Sequence, residues 1–247
     1  MIKKIFNKVK SYEPIEEFSP FKVVFEMNSP ISLSHPWIHL DGIIAHLLLR
    51  NILGNLFYIL PTNLPLDFFS ILKLPIKQTK IDKHILYHSS ISFFNIEKIY
   101  VKHIFKKFHE RDLQIFKNKR IKRIYISSGK FKNYKIQIPY IPSTKVIFYG
   151  NGNISEIEYL LRGLSGLGKK ISIGYGFIKD FKIREIESDI SIINKDNISM
   201  KPIPIEFLKG NKDKVEKMFL GYKFPYWSKT NITLCAIPGE KVWIKHG

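Results

Sequence analysis

Between Gly166 and Gly176 the chain reads Gly-Leu-Gly-Lys-Lys-Ile-Ser-Ile-Gly-Tyr-Gly, two glycine–hydrophobe–glycine triplets separated by Lys169, Lys170, Ile171, Ser172 and Ile173. Glycine admits positive φ and lets another backbone approach closely, and lysines beside exposed amides offer charge and donors to phosphate oxygens. This chemistry suits a grip on a polyanionic backbone through Gly166, Gly168, Lys169, Lys170, Ser172, Gly174, Tyr175 and Gly176. The same residues would also serve a helix C-cap followed by a tight turn into a strand. The loop follows a helical pattern and leads into a strand, the reverse of a Walker A loop or a dinucleotide fingerprint, so no nucleotide cofactor is implied.

Charge supplies a second constellation. The 247 residues contain 40 Lys and Arg against 21 Asp and Glu, a formal charge of +19. Residues 73–135 hold 17 basic and 4 acidic residues, +13 of that total. An Ile-, Lys- and Asn-rich composition also follows from AT-rich coding, but a field this strong and this localised favours a polyanion over a small neutral ligand. Within the block, Phe105, Phe108, Tyr125, Phe131 and Tyr134 alternate with cations that include Lys119, Arg120, Lys122, Arg123, Lys130 and Lys132. Aromatic faces that stack unpaired bases, beside lysines and arginines that meet phosphates, suit single-stranded RNA. The bland alternative makes the aromatics the packed side of hairpins and the lysines the wet side, and both can hold together.

Histidines are the other groups able to move protons. His84 and His88 are four apart and would share a helix face, while His103 and His109 lie in the basic block. Metal-independent RNA cleavage would need such groups to take the 2′-hydroxyl proton and steady the phosphate charge. Stacking on bases or contact with phosphate is the stronger expectation for histidines set among lysines and aromatics. His39 and Asp41 open a helical stretch, where an acidic residue is favoured by the helix dipole. Further ligands for a metal are not evident. The single cysteine, Cys235, excludes an internal disulfide and a Cys-rich zinc site, and fits a reducing cytosol.

The elements that must position these residues follow from periodicity. Phe21 to Met27 alternates as a strand, and Ile43 to Leu53 continues a helical pattern that Gly54 ends. The apolar stretch Ile43 to Leu60 is interrupted by Arg50, Asn51 and Asn55, which predicts a buried helix rather than a membrane crossing. Neither a signal peptide nor a transmembrane span is expected. Lys145 to Tyr149 reads as a buried strand; Asn153 caps the next helix with Glu156 placed to reach back, and Ile154, Ile157, Leu160, Leu161 and Leu164 line one face. Tyr175 to Ile183 alternates as a last strand. Strand, helix, interrupted strands, helix, strand is the order of a ferredoxin-like domain.

The glycine segment resembles the glycine-rich loop of the CRISPR-associated RAMP superfamily, matching it at every glycine and intervening hydrophobe. Softer likenesses point to the Cas-five-like, handle-binding subunit of type IV CRISPR effector complexes. They are Ile38-His39-Leu40-Asp41-Gly42, Gly129-Lys130-Phe131-Lys132-Asn133-Tyr134, Val146 to Gly152, Phe224-Pro225-Tyr226-Trp227 and Cys235-Ala236-Ile237-Pro238-Gly239. Together they span about residues 20–240. The resemblance implies an α+β, ferredoxin-like (RRM-like) RAMP core from residues 1–75 and 136–190. It also implies a basic thumb-like insertion at 76–135 and a C-terminal extension at 191–247. By the same resemblance, the protein grips the 5′ handle of crRNA through the loop, the thumb and His39, and caps the backbone filament. Its partners would be backbone and large subunits, with target DNA or RNA met indirectly and no membrane, in a prokaryotic cytoplasm. No cofactor, metal or catalytic residue is expected. A metal-independent repeat endoribonuclease and a general RNA-binding protein are the alternatives.

Overall fold

The structure is a computed structural model and describes residues 2–60, 69, 71–82, 84–109, 111, 125–210 and 214–245. Its frame is set by β1 (Ser19–Met27), whose Phe21, Val23, Phe25 and Met27 point to the core while Lys22, Val24 and Glu26 face the other way. The strand alternates because period 2 matches the pleat, so one face is buried and one wetted. β1 pairs antiparallel with β7 (Lys145–Gly152) on one side and β8 (Ile178–Glu185) on the other, and β4 (Phe93–Phe94) pairs with β7 at the far edge. The sheet order is therefore β4-β7-β1-β8. With α2 (Leu40–Leu53) between β1 and β4, and α3 (Ile154–Leu161) between β7 and β8, this is the ferredoxin-like βαββαβ arrangement in spatial order 4-1-3-2.

Among the described residues the helices cover a single face of that sheet. α1 (Ile2–Lys10), α2 and α3 contribute Ile5, Val9, Ile44, Leu48, Ile157 and Leu161 to one buried cluster with Phe21, Phe25 and Phe148. Residues 40–59 are long and apolar enough to cross a bilayer by length and composition, but α2 buries eight of its side chains here. Gly54 caps α2 as expected, with φ +56° and its amide bonded to the Arg50 carbonyl. The α3 start departs in one detail. The Asn153 side chain accepts from the Glu156 amide at 2.9 Å, but the Glu156 carboxylate does not return to the cap; it accepts a hydrogen bond from the Tyr12 hydroxyl and so ties α3 to the chain after α1.

The segment between α2 and β7 is more divided than one insertion. β2 (Gln78–Ile81) and β3 (His84–Tyr87) form a hairpin, and β4 joins the core sheet. A separate ribbon pairs β5 (Tyr100–Lys106) with β6 (Tyr134–Tyr140), so its return strand runs past residue 135. The C-terminal extension carries its own small sheet, β10 (Lys217–Gly221), β11 (Ile232–Ala236) and β9 (Ile203–Pro204), in that spatial order. Its core of Ile203, Phe207, Tyr222 and Cys235 takes in Leu86 from the β2–β3 hairpin. The extension thus packs on the inserted hairpin as well as on the core domain.

Candidate nucleic-acid interface

The glycine loop is held by its two ends and projects in the middle. The Lys169 amide donates to the Ser32 carbonyl at 2.7 Å, Gly176 to Pro30 at 2.7 Å and Leu167 to Gly176 at 2.8 Å. These bonds press the loop onto residues 30–32. A Cβ on Gly168 would meet the Ser32 carbonyl oxygen at 2.5 Å, and one on Gly176 would lie 1.9 Å from the Leu167 oxygen. Gly168 and Gly176 are therefore required by the loop's own closure. Gly174 differs, because its φ is +99° but nothing lies within 4 Å of its missing Cβ. Lys169, Lys170, Ser172 and Gly174 are exposed, and Lys170 itself takes a left-handed φ of 64°. Ile173 at the tip is 51% exposed.

Residues 31–32 link this loop to the basic ribbon. Ile31 exchanges backbone hydrogen bonds with Ile141, immediately after β6, at 2.9 and 2.8 Å, while Ser32 accepts from Lys169. Aromatic contacts run the same way, Tyr175 against Tyr140 at 5.9 Å and Tyr140 stacked on Tyr100 at 5.8 Å. Tyr175, expected at the RNA surface, is only 8% exposed and belongs to this joint. The ribbon beyond it displays Tyr100, Phe105 and Tyr134 to solvent. Lys98, Lys135 and Lys106 lie over those three rings respectively. Cations over aromatic faces on a two-stranded ribbon form the kind of surface that stacks unpaired bases.

Lys132 is exposed in the turn before β6, and Lys130 lies in the preceding 3-10 turn. Lys119, Arg120, Lys122 and Arg123 lie outside the described residues.

A cleft of about 520 Å³ opens between the loop and the start of α2, lined among others by Trp37, His39, Arg50, Gly166, Lys169 and Tyr226. His39 sits at its base. Its ring stacks on Tyr226 at 3.7 Å between centroids, and the Trp37 indole N–H donates to its Nε2 at 3.1 Å. Burial lowers the His39 pKa to about 3, so the ring is neutral and free to accept that bond. His46, on the same cleft, is also pushed down, by burial and then by Arg50.

Beneath this pair the Tyr226 hydroxyl donates to Asp41, whose side chain is fully buried. Burial, then the Asp41 charge, raise the Tyr226 pKa well above its ordinary value. Lys201, also fully buried, donates to the Tyr87 carbonyl at 2.9 Å and to Ser89 Oγ at 3.3 Å. Burial lowers the Lys201 pKa, and the Asp41 charge works against that shift. Asp41 is thus an anchor between α2 and the C-terminal extension.

The remaining histidines separate into two groups. His84 opens β3 and His88 follows that strand, which corrects the expectation of a shared helix face. His84 Nδ1 is 3.1 Å from the buried Tyr222 hydroxyl. His88 Nδ1 is 2.6 Å from Asp189 and its Nε2 is 2.7 Å from Thr79 Oγ1, while Asn151 and Ser191 also donate to Asp189. These bonds hold the Asp189 carboxyl well below its usual range, against the opposing effect of burial. Both residues tie the β2–β3 hairpin to neighbouring segments. His103 is exposed on β5, and His109 follows the ribbon's outgoing strand.

The structure brings His39, Gly166, Gly168 and Lys169 to one cleft, as the sequence suggested by type but not by position. Sequence reasoning missed Trp37, Arg50 and Tyr226 as cleft residues. Of these, only Tyr226 carried a signal, in its Phe-Pro-Tyr-Trp run. Among the described residues, no cluster of three or more His, Cys, Asp or Glu could hold a metal ion.

Comparison with known proteins narrows what this arrangement belongs to. No curated protein matches the chain significantly. Among solved structures, it is similar to a chain of the Type III-B Cmr-beta complex bound to cognate target RNA, at 9% identity and a TM-score of 0.35. That alignment covers 74% of this chain and 65% of the other, so the present chain spans about two-thirds of that relative's length. It is also similar to a chain of the Csm3-Csm4 subcomplex of the type III-A CRISPR-Cas interference complex, at 14% identity and a TM-score of 0.41, covering 91% and 92%. The family described as CRISPR type IV associated protein Csf3 matches residues 77–238, more than half of the sequence. The chain belongs to the CRISPR type IV associated Csf3 family.

Proposed function

We propose that this protein is a non-catalytic RNA-binding subunit of a CRISPR effector ribonucleoprotein, gripping the 5′ handle of crRNA and capping the backbone filament beside backbone and large subunits. The observation that carries this reading is the joint at residues 31–32, which hydrogen-bonds to the glycine loop on one side and to the end of the basic ribbon on the other. One strand of RNA can then lie along the exposed lysines of the loop while its bases meet the ribbon's aromatic faces. The inserted segment acts as the thumb. His84 and His88 are occupied by internal bonds, which favours a binding subunit over an endoribonuclease.

The test replaces charge without asking the backbone for a new shape. Lys169→Ala with Lys170→Ala should leave the melting temperature unchanged, because both side chains are exposed. Affinity for handle-bearing RNA should fall about tenfold or more. The log–log salt slope should flatten by about 0.7 for each single-strand phosphate that is no longer neutralised. Repeat RNA incubated with the purified protein and EDTA should stay intact. Unchanged affinity removes these two lysines from the grip, site-specific cleavage overturns the non-catalytic assignment, and equal binding of unrelated RNAs reduces the function to general RNA binding.

A further inference from the structure

Among the described residues the helices cover only one face of the four-stranded sheet, and its other face carries a pattern that the core does not need. Register places Arg184, Lys22 and Tyr149 side by side in one row, and Lys182, Val24, Ile147 and Phe93 in the next. A third row, Asp180, Glu26 and Lys145, is mixed in sign. None of Val24, Ile147, Tyr149 and Phe93 belongs to the buried core cluster, whereas their chain neighbours Val23, Phe25, Val146 and Phe148 do. Phe93 and Tyr149 meet edge to face at 6.1 Å, and the Lys22 ammonium lies 5.7 Å from the Tyr149 ring centroid. Lys182 and Arg184 are exposed.

This face borders a second cleft. That cleft, of about 590 Å³, is lined by Trp37, Phe93, Tyr149, Ile198 and Met200 among others, so it runs between the sheet and the C-terminal extension. Trp37 lines both clefts. Two aromatic rings standing on an open antiparallel sheet, with three cations along their flank, match the chemistry of a base-stacking platform. The rings accept unpaired bases and the cations meet the phosphates between them.

We propose that this open face is a second RNA surface, on which the strand leaving the glycine-loop cleft passes Trp37 and stacks on Phe93 and Tyr149 with its phosphates against Lys22, Lys182 and Arg184. The identity of the strand rests on the handle-binding reading, and the direction of charge does not. The third row sets the limit of the platform, because Glu26 and Asp180 repel phosphate there.

Two variants test it beside the Lys169→Ala, Lys170→Ala loop variant. One combines Lys22→Ala, Lys182→Ala and Arg184→Ala; the other is Tyr149→Leu, which keeps apolar bulk on the sheet. Thermal melts establish that each is folded. The probes are a fluorescein-labelled RNA of the handle alone and one carrying the adjoining guide nucleotides. The sheet variants should bind the longer RNA about tenfold more weakly, the drop expected for one stacked base or a few phosphate contacts, and bind the short RNA like the parent. The loop variant should bind both RNAs more weakly. Parent-like binding of the longer RNA by both folded sheet variants overturns the proposal. So does normal RNA binding with failed assembly onto the backbone subunit, which would make the face a protein-docking surface. Weaker binding in the sheet variants with parent-like binding in the loop variant would instead overturn the handle reading and leave the sheet as the RNA surface.

Discussion

Adding one methyl group at Gly168 and one at Gly174 asks the same chemical question of two very different places. At Gly168 the new Cβ would lie 2.5 Å from the Ser32 carbonyl oxygen, and that oxygen already accepts the Lys169 amide, so it cannot retreat without breaking the brace. The backbone at Gly168 also has φ +85°, which costs an alanine about 1–2 kcal/mol, and the overlap adds about 1–3 kcal/mol. A total near 3–4 kcal/mol should lower the melting temperature of a chain this size by about 10 °C. Gly174→Ala meets no atom and carries only the left-handed cost, about 1–2 kcal/mol, or about 4 °C. Differential scanning fluorimetry separates the two. RNA anisotropy on folded Gly174→Ala then shows whether the projecting half of the loop needs close approach of a ribose-phosphate chain. A Gly168→Ala protein melting within about 2 °C of the parent would refute the argument that closure on residues 30–32 fixes the loop.

Two further outcomes follow from polar groups in the interior. Folded His39 is held neutral, with its pKa lowered to about 3, while the unfolded chain takes up a proton below about 6.5, so its contribution is intact above pH 6.5 and is lost as pH falls toward 3. Between pH 7.5 and pH 5 this amounts to about 2 kcal/mol, and His39→Gln should melt with a visibly smaller dependence on pH over that range; an identical dependence would place the titration elsewhere. Asn153→Ala removes the cap of α3 and should cost about 1 kcal/mol, read as a fall of about 3 °C in melting temperature, and an unchanged melt would mean that the Asn153–Glu156 bond does not hold the helix start.

Local pattern in the sequence determined the elements of the core and raised the expectation of a polyanionic ligand. The alternation of Phe21, Val23, Phe25 and Met27, the Asn153 cap and the Gly54 stop are near-neighbour effects, and each formed where its residues stood. The glycine spacing and the cluster of 17 basic residues in 73–135 pointed to RNA before any contact was known, because charge and backbone freedom are properties of residue type. The tertiary structure alone decided which of these residues meet. His39 and Tyr226 are 187 positions apart and Asp41 and Lys201 are 160 apart, and no period or spacing predicts a stack or a buried charge between them. The same holds for His84 and His88, whose spacing fits a helix face but whose strand is fixed by pairing with residues 78–81. Register across β1, β7 and β8 also put Lys22, Tyr149 and Arg184 in one row. Long-range pairing of this kind is set by how the two faces of each element are buried, and burial is a property of the assembled chain, not of any segment alone.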